Sequence, residues 1–265
     1  MQTQKPVELY PLLYPVFKIY LKHFESKNST FSDPIKLKIA HTLRVVREIR
    51  FLAEHRNHTC ITSDIAKCTA LLHDIGRFQQ YASFGTYDDR ISINHAALGV
   101  IIIDHFKLLS QHPDSQQRLI RKAILLHNRE MIPKNLDSAE RILTQLLRDA
   151  DKLDIWKVTI DHDKHKPVTN NFSPENLERL YRFQKIPYTV AKTEADTRLF
   201  RLSWVFDVYF PQTIHAILSR GYIKQMFAKL PHTRQFAQLQ KTIENVLHHR
   251  LESQCRSYEK GSIPL

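Results

Sequence analysis

The sequence predicts an all-α fold, and three observations support this prediction. Only five glycines occur in 265 residues, which is few for a protein built from many tight β-turns. Long stretches lack both glycine and proline, and their apolar residues recur at helical spacing. Apolar residues make up 42% of the chain, enough for the core of one large domain or of two small ones.

Capping residues and apolar periodicity divide the first part of the chain into helices. The expected helices lie at 36–55, 62–74, 92–106, 113–128 and 137–156. Asp33-Pro34 starts the first, Gly76 ends the second, Ser92 caps the third, and His127 closes the fourth. A polar loop is expected over 78–90. The last of these helices has an expected buried stripe of Leu143, Leu146, Leu147, Ala150 and Leu153.

The segment 157–172, KVTIDHDKHKPVTNNF, is polar and is expected to be irregular. It predicts a core over 1–156 that carries the candidate site and a helical extension over 157–265 that packs on the core, with a single domain as the alternative. In the extension, helices are expected at about 173–185, 192–209, 211–230 with a break at Gly221, and 233–253.

Cysteines and apolar runs indicate the compartment. The widely spaced Cys60, Cys68 and Cys255 form neither a disulfide framework nor a CxxC zinc pair. The N-terminal residues lack the pattern of a secretory signal, and the longest apolar run, 98–103, is too short to span a bilayer. A cytoplasmic protein without membrane association is therefore expected.

The formal charge of +12 favours anionic partners, such as phosphorylated metabolites or nucleic acid. A solvated basic surface is the alternative. No RGG, zinc-finger or RNP-like motif supports nucleic acid specifically. No GxSxG, P-loop or GxGxxG motif indicates another chemistry.

Six histidine and aspartate side chains lie on the predicted helices, most of them near helix ends, beside apolar stripes. They are His41, His73, Asp74, His95, His127 and Asp151. Taken singly, each has an ordinary structural alternative, such as a core histidine with hydrogen-bond partners. Taken together, they would be costly to bury without partners, and a divalent metal would satisfy them at once.

The order of His41, then LLHDIGR with His73 and Asp74, then ADKLD with Asp151 resembles the HD-domain superfamily of metal-dependent phosphohydrolases. The resemblance covers about residues 36–155. It implies an HD-domain helical bundle with a C-terminal helical extension. It also implies one or two divalent metal ions, which could be Fe, Mn, Zn, Ni, Co or Mg.

The resemblance further implies which residues act. His41, His73, Asp74 and Asp151 would hold the first metal, and His95 and His127 the second, with Asp74 bridging. Asp149 is the alternative to Asp151, and otherwise a candidate for orienting a ligand histidine. Asp74, Arg77 and Lys152 are the catalytic candidates. Arg77, Arg90, Arg129 and Lys152 are candidates for binding phosphate, with surface solvation as their alternative.

The implied activity is hydrolysis of a phosphate ester or phosphodiester of a nucleotide or small phosphorylated metabolite by a metal-bound hydroxide. A di-iron oxygenase and a non-enzymatic nucleic-acid-binding module are the alternatives. NREMIP follows His127 where the cyclic-dinucleotide phosphodiesterase branch has a Gly-Tyr-Pro segment, which argues against that substrate. A homodimer is left open.

Overall fold

The computed structural model of the protein describes residues 8–26, 30–54, 61–168 and 170–259. These ranges contain α-helices and short 3-10 turns but no β-strand, so the all-α prediction is confirmed. No helix within them is long and apolar enough to cross a membrane. Cys60 and the side chain of Cys255 lie outside the described part, and Cys68 is a buried free thiol.

The chain divides into two compact units, Met1–Asp151 and Lys152–Leu265. The first unit contains α1 (Tyr10–Leu21), α2 (Asp33–Glu54), α3 (Ser63–Leu72), α4 (Ile75–Phe84), α5 (His95–His105), α6 (Asp114–His127) and the first half of α7 (Ser138–Asp163). Within it, α2 packs on α3, α4 on α5, and α6 on both α3 and α5. The predicted apolar stripe of α7 is buried.

The second unit contains the rest of α7 and α8 (Pro174–Tyr181), α9 (Glu194–Ser203), α10 (Pro211–Ser219), α11 (Tyr222–Phe227) and α12 (Arg234–Glu259). In it, α8 packs on α9, while α10, α11 and α12 pack on one another. Gly221 separates α10 from α11 with a left-handed backbone, φ 65°, as the predicted break requires.

The prediction that Gly76 ends a helix is wrong. α3 stops at Leu72, and α4 begins at Ile75 after a turn formed by the His-Asp pair. α4 then runs through much of the segment predicted to be a loop, and it ends at Gly85, whose left-handed backbone (φ 65°) places its N–H on the Tyr81 carbonyl.

Two helix boundaries and one whole helix also differ from the predictions. α5 is capped by Asn94, whose side chain accepts from the Ala97 N–H, rather than by Ser92. α7 continues to Asp163 through a polar face on which Lys157 pairs with Asp161 at 2.5 Å, so 157–163 is helical. α1 was not predicted, because its two prolines interrupt the helical signal.

Gly76 instead allows α4 and α5 to approach each other closely. A Cβ at this position would lie 2.2 Å from the His95 carbonyl oxygen and 2.7 Å from the Gly99 nitrogen. Both atoms belong to the backbone and cannot rotate away. The absence of a side chain at Gly76 is therefore what lets the first turn of α5 lie beside the start of α4.

We expect Gly76→Ala to lower the free energy of unfolding by about 1–3 kcal/mol, because the new methyl group would push α5 away. Urea denaturation measures the loss. Gly99→Ala is the matched control in the same contact, since its Cβ would meet the Ile75 side chain at an ordinary 3.4 Å. That control should change stability by less than about 1 kcal/mol. Equal effects of the two substitutions would contradict the packing argument.

Candidate metal centre

Six predicted side chains converge in the first unit from separate helices. His41 lies within α2, Asp151 within α7, His73 and Asp74 in the turn before α4, His95 at the first residue of α5, and His127 at the last residue of α6. Five of them are buried, whereas the Asp151 side chain is 19% exposed. The cluster is thus closed on most sides and opens beside Asp151.

Asp74 lies at the centre of the cluster, and its two oxygens face two different pairs of imidazoles. Its Oδ2 is 3.4 Å from Nε2 of His41 and 3.5 Å from Nε2 of His73. Its Oδ1 is 3.4 Å from Nε2 of His95 and 4.0 Å from Nε2 of His127. One carboxylate therefore contacts both halves of the cluster.

We call the side of the cluster at Oδ2 of Asp74, with His41 and His73, the first half, and the side at Oδ1, with His95 and His127, the second half. Asp151 belongs to the first half. Its Oδ1 lies 3.2 Å from Nε2 of His41 and 3.9 Å from Nε2 of His73. In the second half, Nε2 of His95 and Nε2 of His127 are 3.1 Å apart. Three groups of these residues have ligand atoms within 4.8 Å of one another, close enough to hold an ion: His41 with His73 and Asp74, His73 with His127 and Asp151, and Asp74 with His95 and His127.

Backbone carbonyls orient two of the rings. Nδ1 of His73 lies 2.7 Å from the Ala70 carbonyl oxygen, and Nδ1 of His127 lies 2.6 Å from that of Ile124. A hydrogen on Nδ1 satisfies each carbonyl and leaves the Nε2 lone pair directed into the cluster. Nε2 of His73 is buried and has no hydrogen-bond partner among the residues that the structure describes, as expected for a nitrogen that accepts a metal.

The electrostatic environment favours the protonation states that bind metals. Burial lowers the pKa of His73 and of His95, and it lowers the pKa of His127 to about 3. These imidazoles are therefore neutral near pH 7. Burial alone would raise the pKa of Asp74, but the positive charge of Lys38 and the hydrogen bond from His41 outweigh it and keep the carboxyl group ionised.

Lys38 was not found from the sequence. Its Nζ lies 2.6 Å from Oδ2 of Asp74, one helical turn before His41 on α2. A single lysine on a basic helix has no sequence pattern that separates it from surface lysines. Its spacing of three residues from the candidate ligand His41 does indicate that both side chains lie on the same face of α2. Its ammonium group brings a positive charge to the central carboxylate.

Asp89, in the loop between α4 and α5, was also missed. Its Oδ2 lies 2.7 Å from Nδ1 of His95 and accepts from Nδ2 of Asn128 at 3.2 Å. Its Oδ1 accepts from Nη1 of Arg77 at 2.7 Å and from Nε2 of Gln80 at 2.9 Å. Asp89 therefore fixes the ring orientation of a candidate metal ligand from behind, in the way that carboxylates commonly support ligating histidines.

Arg77 lies beside the cluster, and its guanidinium group is largely engaged by the protein. Besides Asp89, Nη1 donates to the Tyr87 carbonyl at 2.5 Å and to Oε1 of Gln80 at 2.8 Å. Its Nε is 3.6 Å from Oδ1 of Asp74. Arg77 thus links the central carboxylate to the loop that supports His95.

The other predicted cations lie in different surroundings. Arg90 is 51% exposed and pairs with Asp88 at 2.5 Å. Arg129 is exposed. Lys152 pairs with the carboxylate of Asp207 at 2.8 Å in the second unit. Their roles toward phosphate, and that of Arg77, stay predictions.

The structure also distinguishes the positions of the two candidate carboxylates on α7. Asp151 contacts the imidazoles of the first half, whereas Asp149 is fully buried and belongs to none of the ion-holding groups among the described residues. Two carboxylates and four imidazoles suit Fe, Mn, Zn, Co or Ni. The residues present therefore fit a divalent metal centre.

Comparison with known families adds one finding. Residues 39–156 match the family model described as HD domain, and this span includes all six clustered residues. Neither the curated proteins nor the solved structures gave a match to the chain. The part of the protein that carries the buried His/Asp cluster, residues 39–156, is an HD domain.

Proposed function

We propose that the protein is a metal-dependent phosphohydrolase that cleaves a phosphate ester or phosphodiester of a nucleotide or small phosphorylated metabolite. A buried His/Asp cluster within an HD domain is consistent with this class of enzyme. The observation that carries the proposal is the position of Asp74, whose two oxygens face two separate pairs of imidazoles. That arrangement suits a carboxylate that bridges two cations.

His41, His73, Asp74 and Asp151 would hold one metal, and Asp74, His95 and His127 would hold the other. Divalent metals bound there would supply a water of lowered pKa and a Lewis acid for the phosphoryl oxygen. Burial lowers the pKa of three of the imidazoles and keeps them neutral, and the carbonyls of Ala70 and Ile124 and the carboxylate of Asp89 fix the orientation of these three rings.

The charge around the cluster supports a phosphorylated substrate. Lys38 and Arg77 both lie next to the central carboxylate, where they would offset negative charge that builds on phosphoryl oxygens. The formal charge of +12 also favours an anionic substrate. Arg90, Arg129 and Lys152 are kept as proposed phosphate contacts, and a homodimer remains a prediction.

We expect the purified protein, loaded in turn with each of the candidate metals, to hydrolyse at least one member of a panel of nucleotides and bis-aryl phosphates. Asp74→Asn should lower both metal content and turnover by more than about a hundredfold, because even residues behind the ligands contribute 10–100-fold. Metal analysis and phosphate release measure the two quantities, and circular dichroism checks folding.

Absence of turnover with every metal, in protein shown to contain metal, would overturn the proposal. Stable binding of two irons together with oxygen uptake and no phosphate release would indicate a di-iron oxygenase instead. Salt-sensitive nucleic-acid binding by protein that takes up no metal would indicate a binding module.

The two carboxylates on α7 can be compared directly. We expect Asp151→Asn to reduce metal content strongly, because this side chain contacts the imidazoles of the first half. Asp149→Asn should retain the metal if it folds, which circular dichroism would report. Metal loss in a folded Asp149→Asn variant with normal content in Asp151→Asn would reverse the assignment.

Asp89→Asn tests whether the carboxylate of Asp89 holds the His95 ring in position for a metal. Loss of the carboxylate charge should weaken binding of one metal by roughly 10–100-fold while the other stays bound, because only one half of the cluster depends on His95. Metal titration with stoichiometry measures this. Asp88→Asn is the matched control, since the neighbouring carboxylate pairs with the exposed Arg90. Equal effects of the two variants would refute the role of Asp89.

A further inference from the structure

A cleft of about 580 Å³ opens between the start of α2 and the end of α4, in the same unit as the cluster. Its walls include Pro34, Leu37, Tyr81, Thr86 and Tyr87. Leu37 is 50% exposed, although it is a large apolar side chain. The cleft thus offers apolar and aromatic surface that the described residues leave partly open to solvent.

The wall formed by Tyr87 is held in place at two points. Its hydroxyl donates to the Pro34 carbonyl at 2.9 Å, and its own carbonyl accepts from Arg77. The Tyr81 and Tyr87 rings lie 4.9 Å apart between centroids, with an interplanar angle of 34°. An incoming ring would therefore meet aromatic surface that is already ordered, which lowers the entropic cost of binding.

Lys38 connects this cleft with the candidate metal centre. Its Nζ lies 2.6 Å from Oδ2 of Asp74 and 5.7 Å from the centre of the Tyr87 ring. Leu37, the residue before it on α2, lines the cleft itself. One short stretch of α2 therefore contacts both the central carboxylate and the aromatic wall.

We propose that this cleft binds the base of a nucleoside monophosphate whose phosphate lies at the metal centre. The inference rests on the proposed phosphohydrolase function and narrows its substrate class. Aromatic rings stack on every nucleobase. The Thr86 hydroxyl and the Asp33 carboxylate, both at the cleft, can hydrogen-bond to the edge of a base. A lipid tail would gain nothing from these polar groups, and a plain sugar phosphate would leave the rings uncovered.

The experiment compares binding of the non-hydrolysable phosphonate analogues of adenosine 5′-monophosphate and of ribose 5-phosphate to the metal-loaded, full-length protein by calorimetry. The sugar ligand lacks the base and carries a hydroxyl group in its place. We expect the nucleotide to bind roughly tenfold more tightly, the range expected for stacking of one base. Leu37→Ser and Tyr81→Ala should each remove most of that preference.

Phe84→Leu is the matched control, because Phe84 is an exposed aromatic residue one turn beyond Tyr81 on α4 but does not line the cleft. It should keep the tenfold preference. Equal binding of the two ligands to the wild-type protein, no binding of either, or a preference that survives both cleft variants would overturn the inference. A base preference that disappears in the cleft variants, in metal-loaded protein that hydrolyses nothing, would support the cleft and refute the phosphohydrolase function.

Discussion

The carboxylate of Asp74 is the group on which the rest of the site depends. It is ionised although its side chain is only 4% exposed, and a buried charge of this kind is stable only when opposite charge or hydrogen-bond donors surround it. Lys38 and Arg77 supply the positive charge, and imidazoles contact both oxygens. These groups come from different helices. The helices therefore converge on the turn between α3 and α4, which carries Asp74.

That convergence requires unusually close packing at one contact. Gly76 follows Asp74 by two residues and lies against the backbone at His95, so the first turns of α4 and α5 approach more closely than side chains would allow. α4 then ends at Gly85, and the loop returns to α5 with Asp89 placed behind the ring of His95. The same chain segment thus forms the close helix contact, reverses direction and supports a candidate ligand.

The sequence was most informative where the chemistry is distinctive. The six clustered residues could be predicted because together they would be costly to bury without a shared metal, and because their order along the chain resembles the HD-domain pattern. Lys38 and Asp89 could not be predicted, because single charged residues in polar segments resemble ordinary surface residues until their neighbours are known. Gly76 was misinterpreted because the same residue type ends helices and permits close packing. The polar stretch 157–163 was expected to be irregular but is helical, with Ile160 buried in the core and Lys157 paired with Asp161 on the exposed face.

Arg77 links the candidate metal centre with the proposed base-binding cleft of the first unit. Through Nη1 it binds the carboxylate of Asp89, which orients His95, and the carbonyl of Tyr87, whose ring lines the cleft. A displacement of the loop between α4 and α5 would therefore move the support of a candidate metal ligand and the cleft wall together. The guanidinium group, predicted from the sequence as a phosphate contact, also contacts both Asp74 and the Tyr87 carbonyl, so it would limit changes in the distance between the candidate metal centre and the proposed cleft. Fixed separation of two subsites is what allows binding energy gained at one end of a substrate to position the reacting bond at the other.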